Sequence, residues 1–212
     1  KKNKIRVLEI GAGTGNVLEE FKRQASLIDI EVNELGTEYS NDCIEKCNEI
    51  GLNVIFGNLQ TIAEKKIKFD VIILSHVFEH FVNLGEEIKH VKKLMFKNSL
   101  LYIEVPGVLS IHKRPYYNFN YFGYHVHAHM YNFTKNTLEY VLGKEGLKSI
   151  YSNDDVELVL KKGISSIVAN DYSKILNYLD FLNNNNEFFI QSDTNAQITG
   201  RHLISCTTQL KN

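Results

Sequence analysis

Residues 7–21 read VLEIGAGTGNVLEEF, and their reading decides the fold. Val7, Leu8 and Ile10 make an apolar run long enough for a buried strand. Gly11, Gly13 and Gly15 follow at once, and Val17, Leu18 and Phe21 are spaced for one face of a helix from about Thr14 to Gln24. Strand, glycine-rich turn and helix form the nucleotide-cradling unit of open α/β sheets. Glycine lets the backbone turn sharply and lie against a ligand with no Cβ in the way. The helix that follows turns its unpaired N–H groups toward whatever fills the turn. The spacing is G-x-G-x-G, followed by Asn16 and Val17, and not the dinucleotide G-x-G-x-x-G.

With Glu9 inside the strand, the stretch reads E-x-G-x-G-x-G. It resembles the first motif of class I S-adenosylmethionine-dependent methyltransferases. The resemblance implies that Glu9, Gly11, Ala12, Gly13 and Gly15 line a cofactor cleft. The acid that ends the second strand is either Asp29 or Glu31 in SLIDIEV, or Glu38 in ELGTEYS. Glu38 is chosen, because Ser40 or Asn41 after it can cap a helix over NDCIEKCNEI, stopped by Gly51. A carboxylate there accepts from both ribose hydroxyls, and Tyr39 beside it can pack on the adenine. Residues 53–56 read as a short third strand, ended by Gly57-Asn58-Leu59. The family usually has Gly-Asp at this turn, with the acid accepting from the adenine amino group. The side-chain carbonyl of Asn58 offers the same acceptor, and Leu59 lies beside it.

Residues 69–74, FDVIIL, are apolar enough for a central fourth strand covered on both faces. SHVFEHF follows, and it resembles the "hxxEHl" segment of methyltransferases related to ubiquinone-biosynthesis and sugar-modifying enzymes. Ser75 and His76 are expected to face the cofactor. Glu79 and His80 are expected to begin the next helix, either as a cap and ion pair or in a direct catalytic role. An amphipathic helix is expected over 86–95 and a fifth strand over 100–105. Between them, Lys97-Asn98-Ser99 stands where the family has a Pro-Gly-Gly turn, with Asn98 supplying its positive φ.

Residues 108–133 are rich in Tyr, Phe, His and Asn. Methyltransferases of this class place an acceptor-binding insertion here, and aromatic faces suit sugar C–H faces or planar rings; the alternative is a satellite core under a long loop. HMYNFT and the helix after it, with Leu138, Val141 and Leu142, resemble a further segment of the same branch. There His129 matches the family's His and Thr134 its helix cap. A histidine near the transferred methyl suits a general base at neutral pH. His129, His127, His76 and His80 are the catalytic candidates, unranked. His125, His127 and His129 alternate and would share a face if extended. No carboxylate or cysteine joins them locally, and methyl transfer from a sulfonium needs no metal, so no metal is expected.

Residues 147–151 and 157–160 read as antiparallel sixth and seventh strands around a turn at 153–155. Beyond Gly163 the resemblance fades, with a helix over 175–182, a polar break over 183–186, and a strand-like tail over 202–208. The expected architecture is α/β: a doubly wound, mostly parallel seven-stranded sheet of the Rossmann-like methyltransferase type. An aromatic-rich insertion follows the fifth strand. Residues 1–162 form the methyltransferase domain, and 163–212 an extension packed on it.

The chain has 212 residues, enough for one such domain, and a formal charge of −1, which is no nucleic-acid footprint. Its three cysteines, Cys43, Cys47 and Cys206, read as reduced thiols of a cytoplasmic protein. No apolar run reaches membrane-spanning length. The family usually carries one or two helices ahead of the first strand, whereas here Lys1 stands almost directly before it. The resemblance implies S-adenosylmethionine as cofactor. The expected acceptor is a small molecule or glycan, foremost a sugar of a surface polysaccharide or a nucleotide-sugar. The alternatives are a quinone-type acceptor, a nicotinamide-dependent oxidoreductase, and a non-catalytic binding protein of the same fold.

Overall fold

The computed structural model describes residues 3–114, 120–124, 128–166 and 171–190. Strand β1 spans Lys4–Ile10, β2 Glu31–Glu38, β3 Val54–Phe56, β4 Phe69–Ser75, β5 Met95–Glu104, β6 Leu147–Ser152 and β7 Glu157–Lys162. They form one sheet in the order β3-β2-β1-β4-β5-β7-β6. The first five strands run parallel, and β7 enters antiparallel between β5 and β6. The order reverses between β1 and β4, so the crevice for a ligand opens beyond the carboxyl ends of those strands.

Helices α1 (Asn16–Ser26), α2 (Asn41–Glu49), α3 (Leu59–Glu64), α4 (Leu84–Leu94), α5 (Tyr121–Tyr124), α6 (Lys135–Lys144) and α7 (Tyr172–Ile190) complete the fold. Alternation along the strands decides which helices they meet. Leu8, Ile10, Ile72, Leu74, Leu101 and Ile103 pack with Ile62 of α3, Ile88, Val91 and Leu94 of α4, and Leu138 and Leu142 of α6. Val7 and Ile73 turn to the other face and pack with Leu18 of α1 and Cys47 of α2. Gly36 in mid-β2 is needed for that second layer: a Cβ there would stand 2.8 Å from Val54 Cγ2 and 3.2 Å from Leu18 Cδ1.

Several expected boundaries move. Glu79 and His80 do not begin a helix; they lie in a 3-10 turn, Phe78–His80, and α4 starts at Leu84, capped by Asn83. Met95 is not helical but opens β5, pairing with Phe69, while Leu100 pairs with Val71, so residues 96–99 stand against Asp70 alone. That bulge is closed by Ser99, whose Oγ accepts from Phe96 N–H at 2.7 Å and donates to the Phe69 carbonyl at 2.5 Å. Asn98 therefore needs no positive φ and has none. Val156 is left-handed instead, φ 66°, in the β6–β7 turn, where Asn153 Oδ1 accepts from Glu157 N–H at 3.0 Å.

The expected break at 183–186 is absent, since α7 runs through it. Asparagine is a weak helix former but no breaker, and Asn185 donates back to the Phe181 carbonyl at 2.8 Å. The helix docks on a 3-10 segment, Val108–Lys113: Tyr178 Oη accepts from His112 N–H at 3.0 Å, and Leu182 packs with Val108, Ile111 and Tyr124. The expected strand over 202–208 lies outside the described residues. No helix among the described residues is long and apolar enough to cross a membrane.

A carboxylate on β1 is only partly compensated in this core. Glu9 is 2% exposed, and its Oε2 has no hydrogen-bond partner among the described residues. Burial pushes its carboxyl up to about 8, against a smaller opposing pull from the Leu18 N–H. A raised folded-state value means stability that is fully present below the unfolded value near 4.5 and lost as pH rises toward 8. Glu9→Gln carries no such loss. In urea denaturation without cofactor, the variant should gain on the wild type by about 2–4 kcal/mol between pH 5 and pH 8. Parallel pH dependences for the two proteins would show that Glu9 ionises normally in the folded state.

Candidate active site

The glycine turn is built from left-handed backbone: Gly11, Gly13 and Gly15 have φ of 69°, 53° and 85°. Two of the three sit there for different steric reasons. At Gly15, the N-cap of α1, a Cβ would fall 2.5 Å from Leu52 Cδ1 and 3.0 Å from Cys47 Sγ, so this glycine lets α1 pack on α2. At Gly13 a Cβ would meet nothing within 4 Å, so this glycine faces open space. The Ala12 methyl points the other way and packs in the core with Leu18 and Cys47.

Glu38 ends β2 beside this turn. Its Oε2 accepts from Gly13 N–H at 2.9 Å, and its Oε1 accepts from Tyr39 N–H at 2.7 Å and Ser40 N–H at 3.2 Å. Burial alone would raise its carboxyl, but these three donors outweigh burial and hold it below the usual range. Glu38 is thus ionised and fixed, with lone pairs to spare for hydroxyl donors. Tyr39 is exposed and stands edge-on to Phe56 at 5.6 Å. Asn58 is the N-cap of α3: its Oδ1 already accepts from Thr61 N–H at 2.9 Å. A carbonyl oxygen has two lone pairs, so the cap leaves one acceptor direction for an exocyclic amine.

These residues share one cleft of about 400 Å³, lined by Ile10, Gly11, Glu38, Tyr39, Asn58, Leu59, Val77, His80 and Phe81, among others. Sequence-expected residues from β1, β2, β3 and the turn after β4 thus meet at the switch point. Gly13, Gly15, Ser75 and His76 do not line that cleft.

Ser75 and His76 close β4 and face a second carboxylate that the sequence reading passed over. Ser75 Oγ and Tyr102 Oη donate to Glu104 Oε2 at 3.0 and 3.2 Å, and His76 Nε2 stands 3.5 Å from Glu104 Oε1. The His76 ring carries its charge up to about 9, through Glu104 first and Glu79 second. Glu104 falls to about 2, chiefly through His76. His76 itself is left-handed, φ 54°, with its N–H donating to the Glu104 carbonyl at 2.9 Å. Glu104 had a signal, since it is a carboxylate ending an apolar strand one place along the sheet, as Glu38 ends β2.

Glu79 is the other residue given too little weight. It is 1% exposed, with His76 Nδ1, His80 Nε2 and His129 Nε2 at 3.7, 3.7 and 3.9 Å from its Oε1. Glu79 is therefore the carboxylate beside His129, far away in sequence, which a local search could not find. The backbone fastens the two segments: the Glu79 carbonyl accepts from Met130 N–H at 2.9 Å. Three of the four catalytic candidates gather at this carboxylate. The fourth, His127, lies outside the described residues. Of the aromatic segment, Tyr124 is buried with its Oη donating to the Pro106 carbonyl at 2.7 Å, whereas Tyr131 is partly exposed and stacks on Phe133 at 5.8 Å.

No curated protein matches the chain in sequence. Among solved structures, the chain is similar to an S-adenosylmethionine-dependent methyltransferase from Archaeoglobus fulgidus: 22% identity, 86% of this chain, 80% of that one, TM-score 0.55. The CMeT domain of the citrinin polyketide synthase is similar over 77% of this chain and 47% of that one, at 13% identity and TM-score 0.58. At these identities the likeness is one of fold. The plantazolicin methyltransferase BpumL, solved with SAH, shares 24% identity over 51% of this chain and 42% of its own length, with TM-score 0.46. The chain thus spans less than half the length of that enzyme. A family model described as a methyltransferase domain matches residues 1–152. Because that match covers well over half of the chain, the chain belongs to the methyltransferase-domain family.

Proposed function

We propose that this chain transfers the sulfonium methyl of S-adenosylmethionine to a hydroxyl of a small-molecule or glycan acceptor. The favoured acceptor is a sugar of a surface polysaccharide or a nucleotide-sugar. One observation carries the reading: the cleft that holds Glu38 and Asn58 also holds His80, so a nucleoside site and a proton-handling side chain share one cavity. In this reading Glu38 accepts from the ribose hydroxyls, Asn58 from the adenine amino group, and Tyr39 and Leu59 flank the base. Gly11, Gly13, Gly15 and Ala12 supply the turn, while Glu9, Ser75 and His76 face the methionine end.

Methyl transfer is an in-line displacement. The acceptor oxygen forms a bond to the methyl carbon as the C–S electron pair returns to sulfur. The protein's main contribution is to hold the two reactants close and aligned. A hydroxyl must also lose its proton, which an amine need not do beforehand. His80 and His129, together with His127, are the groups assigned to that proton, whereas His76 is already charged up to about 9 beside Glu104 and Glu79 and serves to position them. Tyr131, backed by the buried Phe133 ring, offers aromatic surface to the non-reacting part of the acceptor. Residues 1–162 carry this chemistry, and α7 is the part of 163–212 that packs on them. Cys43 and Cys47 are free thiols, which suits a reducing cytoplasm.

Two measurements test the reading. In calorimetric titration with S-adenosylhomocysteine, Glu38→Ala should weaken binding by about 1–3 kcal/mol, the cost of removing a charged acceptor. Unchanged affinity would remove Glu38 from the ribose site. Incubation with S-adenosylmethionine and panels of nucleotide-sugars and catechol-type quinols, read by mass spectrometry, should give a sugar methyl ether. Methylation of the quinols alone would replace the sugar acceptor with the quinone class.

A further inference from the structure

We infer that Glu79, His80 and His129 bind a divalent transition-metal cation, of the zinc, iron(II) or manganese kind, at the acceptor end of the cleft. The inference deepens the methyl-transfer reading and rests on it for its chemical role. The binding itself rests on geometry alone.

Glu79 is the starting point. Its side chain is 1% exposed, and neither carboxylate oxygen has a hydrogen-bond partner among the described residues. A buried carboxylate in that condition is costly and calls for a cation or donors. Its neighbours are imidazole nitrogens at 3.7 Å (His76 Nδ1), 3.7 Å (His80 Nε2) and 3.9 Å (His129 Nε2), all beyond hydrogen-bond range.

His80 shows which of its nitrogens faces the carboxylate. Its Nδ1 lies 2.9 Å from the Ala128 carbonyl. A carbonyl only accepts, so Nδ1 carries a proton and Nε2 is the ring atom left for a ligand. Nε2 stands 3.7 Å from Glu79 Oε1, too far for a hydrogen bond between them. A cation placed between the two atoms is coordinated by both. A backbone carbonyl on the far nitrogen is also the usual way a ligating histidine is oriented.

The third ligand is held in place independently. His129 is fixed next to Glu79 by the bonds of Met130 and Tyr131 N–H to the Glu79 carbonyl, at 2.9 and 3.3 Å. The His80 and His129 rings meet edge to face at 4.9 Å. One ligand atom from each of the three residues falls within 4.8 Å of the others. Tetrahedral zinc, with bonds of about 2.0–2.1 Å, sets neighbouring ligand atoms about 3.3 Å apart. A small rotamer shift of the exposed His80 ring toward the more deeply set His129 and Glu79 narrows that gap. Two imidazoles and one carboxylate suit zinc, iron(II) or manganese, whereas magnesium and calcium prefer oxygen throughout.

Three protein ligands leave an open position, the pattern of a catalytic and not a structural site. His80 also lines the cleft that Gly11 and Glu38 line, so the open position faces the place where acceptor meets cofactor. With His80 and His129 engaged as ligands and no longer able to take a proton, a hydroxyl bound there loses its proton to solvent, because the cation stabilises the alkoxide. The alkoxide oxygen then bonds to the methyl carbon, the C–S bond breaks with its electron pair going to sulfur, and neutral thioether and methyl ether result.

The test uses the full chain, stripped with EDTA and titrated with Mn²⁺ by electron paramagnetic resonance and with Zn²⁺ against a chromophoric chelator. The expected result is one ion per chain, with affinity reduced at least tenfold in both Glu79→Gln and His80→Ala. Melting temperature and S-adenosylhomocysteine affinity, measured on the same variants, identify a variant that has failed to fold. For such a variant, His129→Gln takes its place. No ion bound by the wild type, or binding that survives in folded variants, overturns the site. Methyl transfer that persists at full rate in EDTA leaves the function standing and removes the metal from it. An ion bound normally with no methyl transfer to any acceptor removes the function and leaves the site standing.

Discussion

The bond from Gly13 N–H to the Glu38 carboxylate, 2.9 Å long, holds the rest of the site in register. It joins the turn after β1 to the end of β2, just beyond the last β1–β2 pair, Ile10 with Thr37. Ala12 N–H donating to the Thr37 carbonyl at 2.9 Å supports the same junction. The other Glu38 oxygen takes the N–H groups of Tyr39 and Ser40, just where Ser40 begins to cap α2. One ionised side chain thus fixes the departure of α1 and the entry to α2, and charge-assisted bonds of this kind are worth roughly 1.5–3 kcal/mol each. Within the left-handed glycine turn, Gly13 N–H has that acceptor and Gly15 N–H donates to the Ala12 carbonyl at 2.9 Å.

Four of the carboxylates near the crevice fall into two pairs. Glu38 and Glu104 are held by several donors and kept low in pKa, so they are permanent negative charges of fixed position. Glu9 and Glu79 are more deeply buried, and each has at least one oxygen without a partner. Stability alone would favour an apolar residue at both positions, because an unmet buried carboxylate lowers it. A cationic ligand reverses that sign. An ammonium or sulfonium at the methionine end suits Glu9, and a metal ion suits Glu79. The folded chain without ligand therefore carries its least satisfied groups where ligands are to bind.

Most of the fold could be read from local sequence. The glycine turn, the choice of Glu38 over Asp29 or Glu31, the Gly51 stop and the antiparallel final pair each follow from a spacing or a cap that acts within a few residues. The errors came where a distant partner decides. Ser99 closes the β5 bulge through the carbonyl of Phe69, so the bulge could not be told from a turn by reading residues 96–99. The asparagines at 183–186 look like a break, but α7 is held by Tyr178 and Leu182 on the 3-10 segment Val108–Lys113. The site divides in the same way. Gly11, Glu38 and Asn58 announce themselves at strand ends, whereas Glu79 gains its meaning from His129 and Glu104 from His76, pairs that no sequence spacing reveals.

The strained residue at the end of β4 ties these halves together. A left-handed conformation costs a non-glycine residue roughly 1–2 kcal/mol, and His76 adopts one at the topological switch point. Two features hold it there. Its N–H is captured by the Glu104 carbonyl, extending the β4–β5 pairing by one residue. Its ring is captured between Glu104 and Glu79. With ψ and φ set this way, the chain turns back over the crevice, and Val77 comes to rest where a Cβ on Gly11 would be, 2.7 Å from its Cγ2. The strain at His76 and the absence of a side chain at Gly11 are thus two sides of one contact. That contact sets the height of the roof over the glycine turn, and the chain then runs into Phe78–His80, which puts His80 in the cleft that Glu38 also lines.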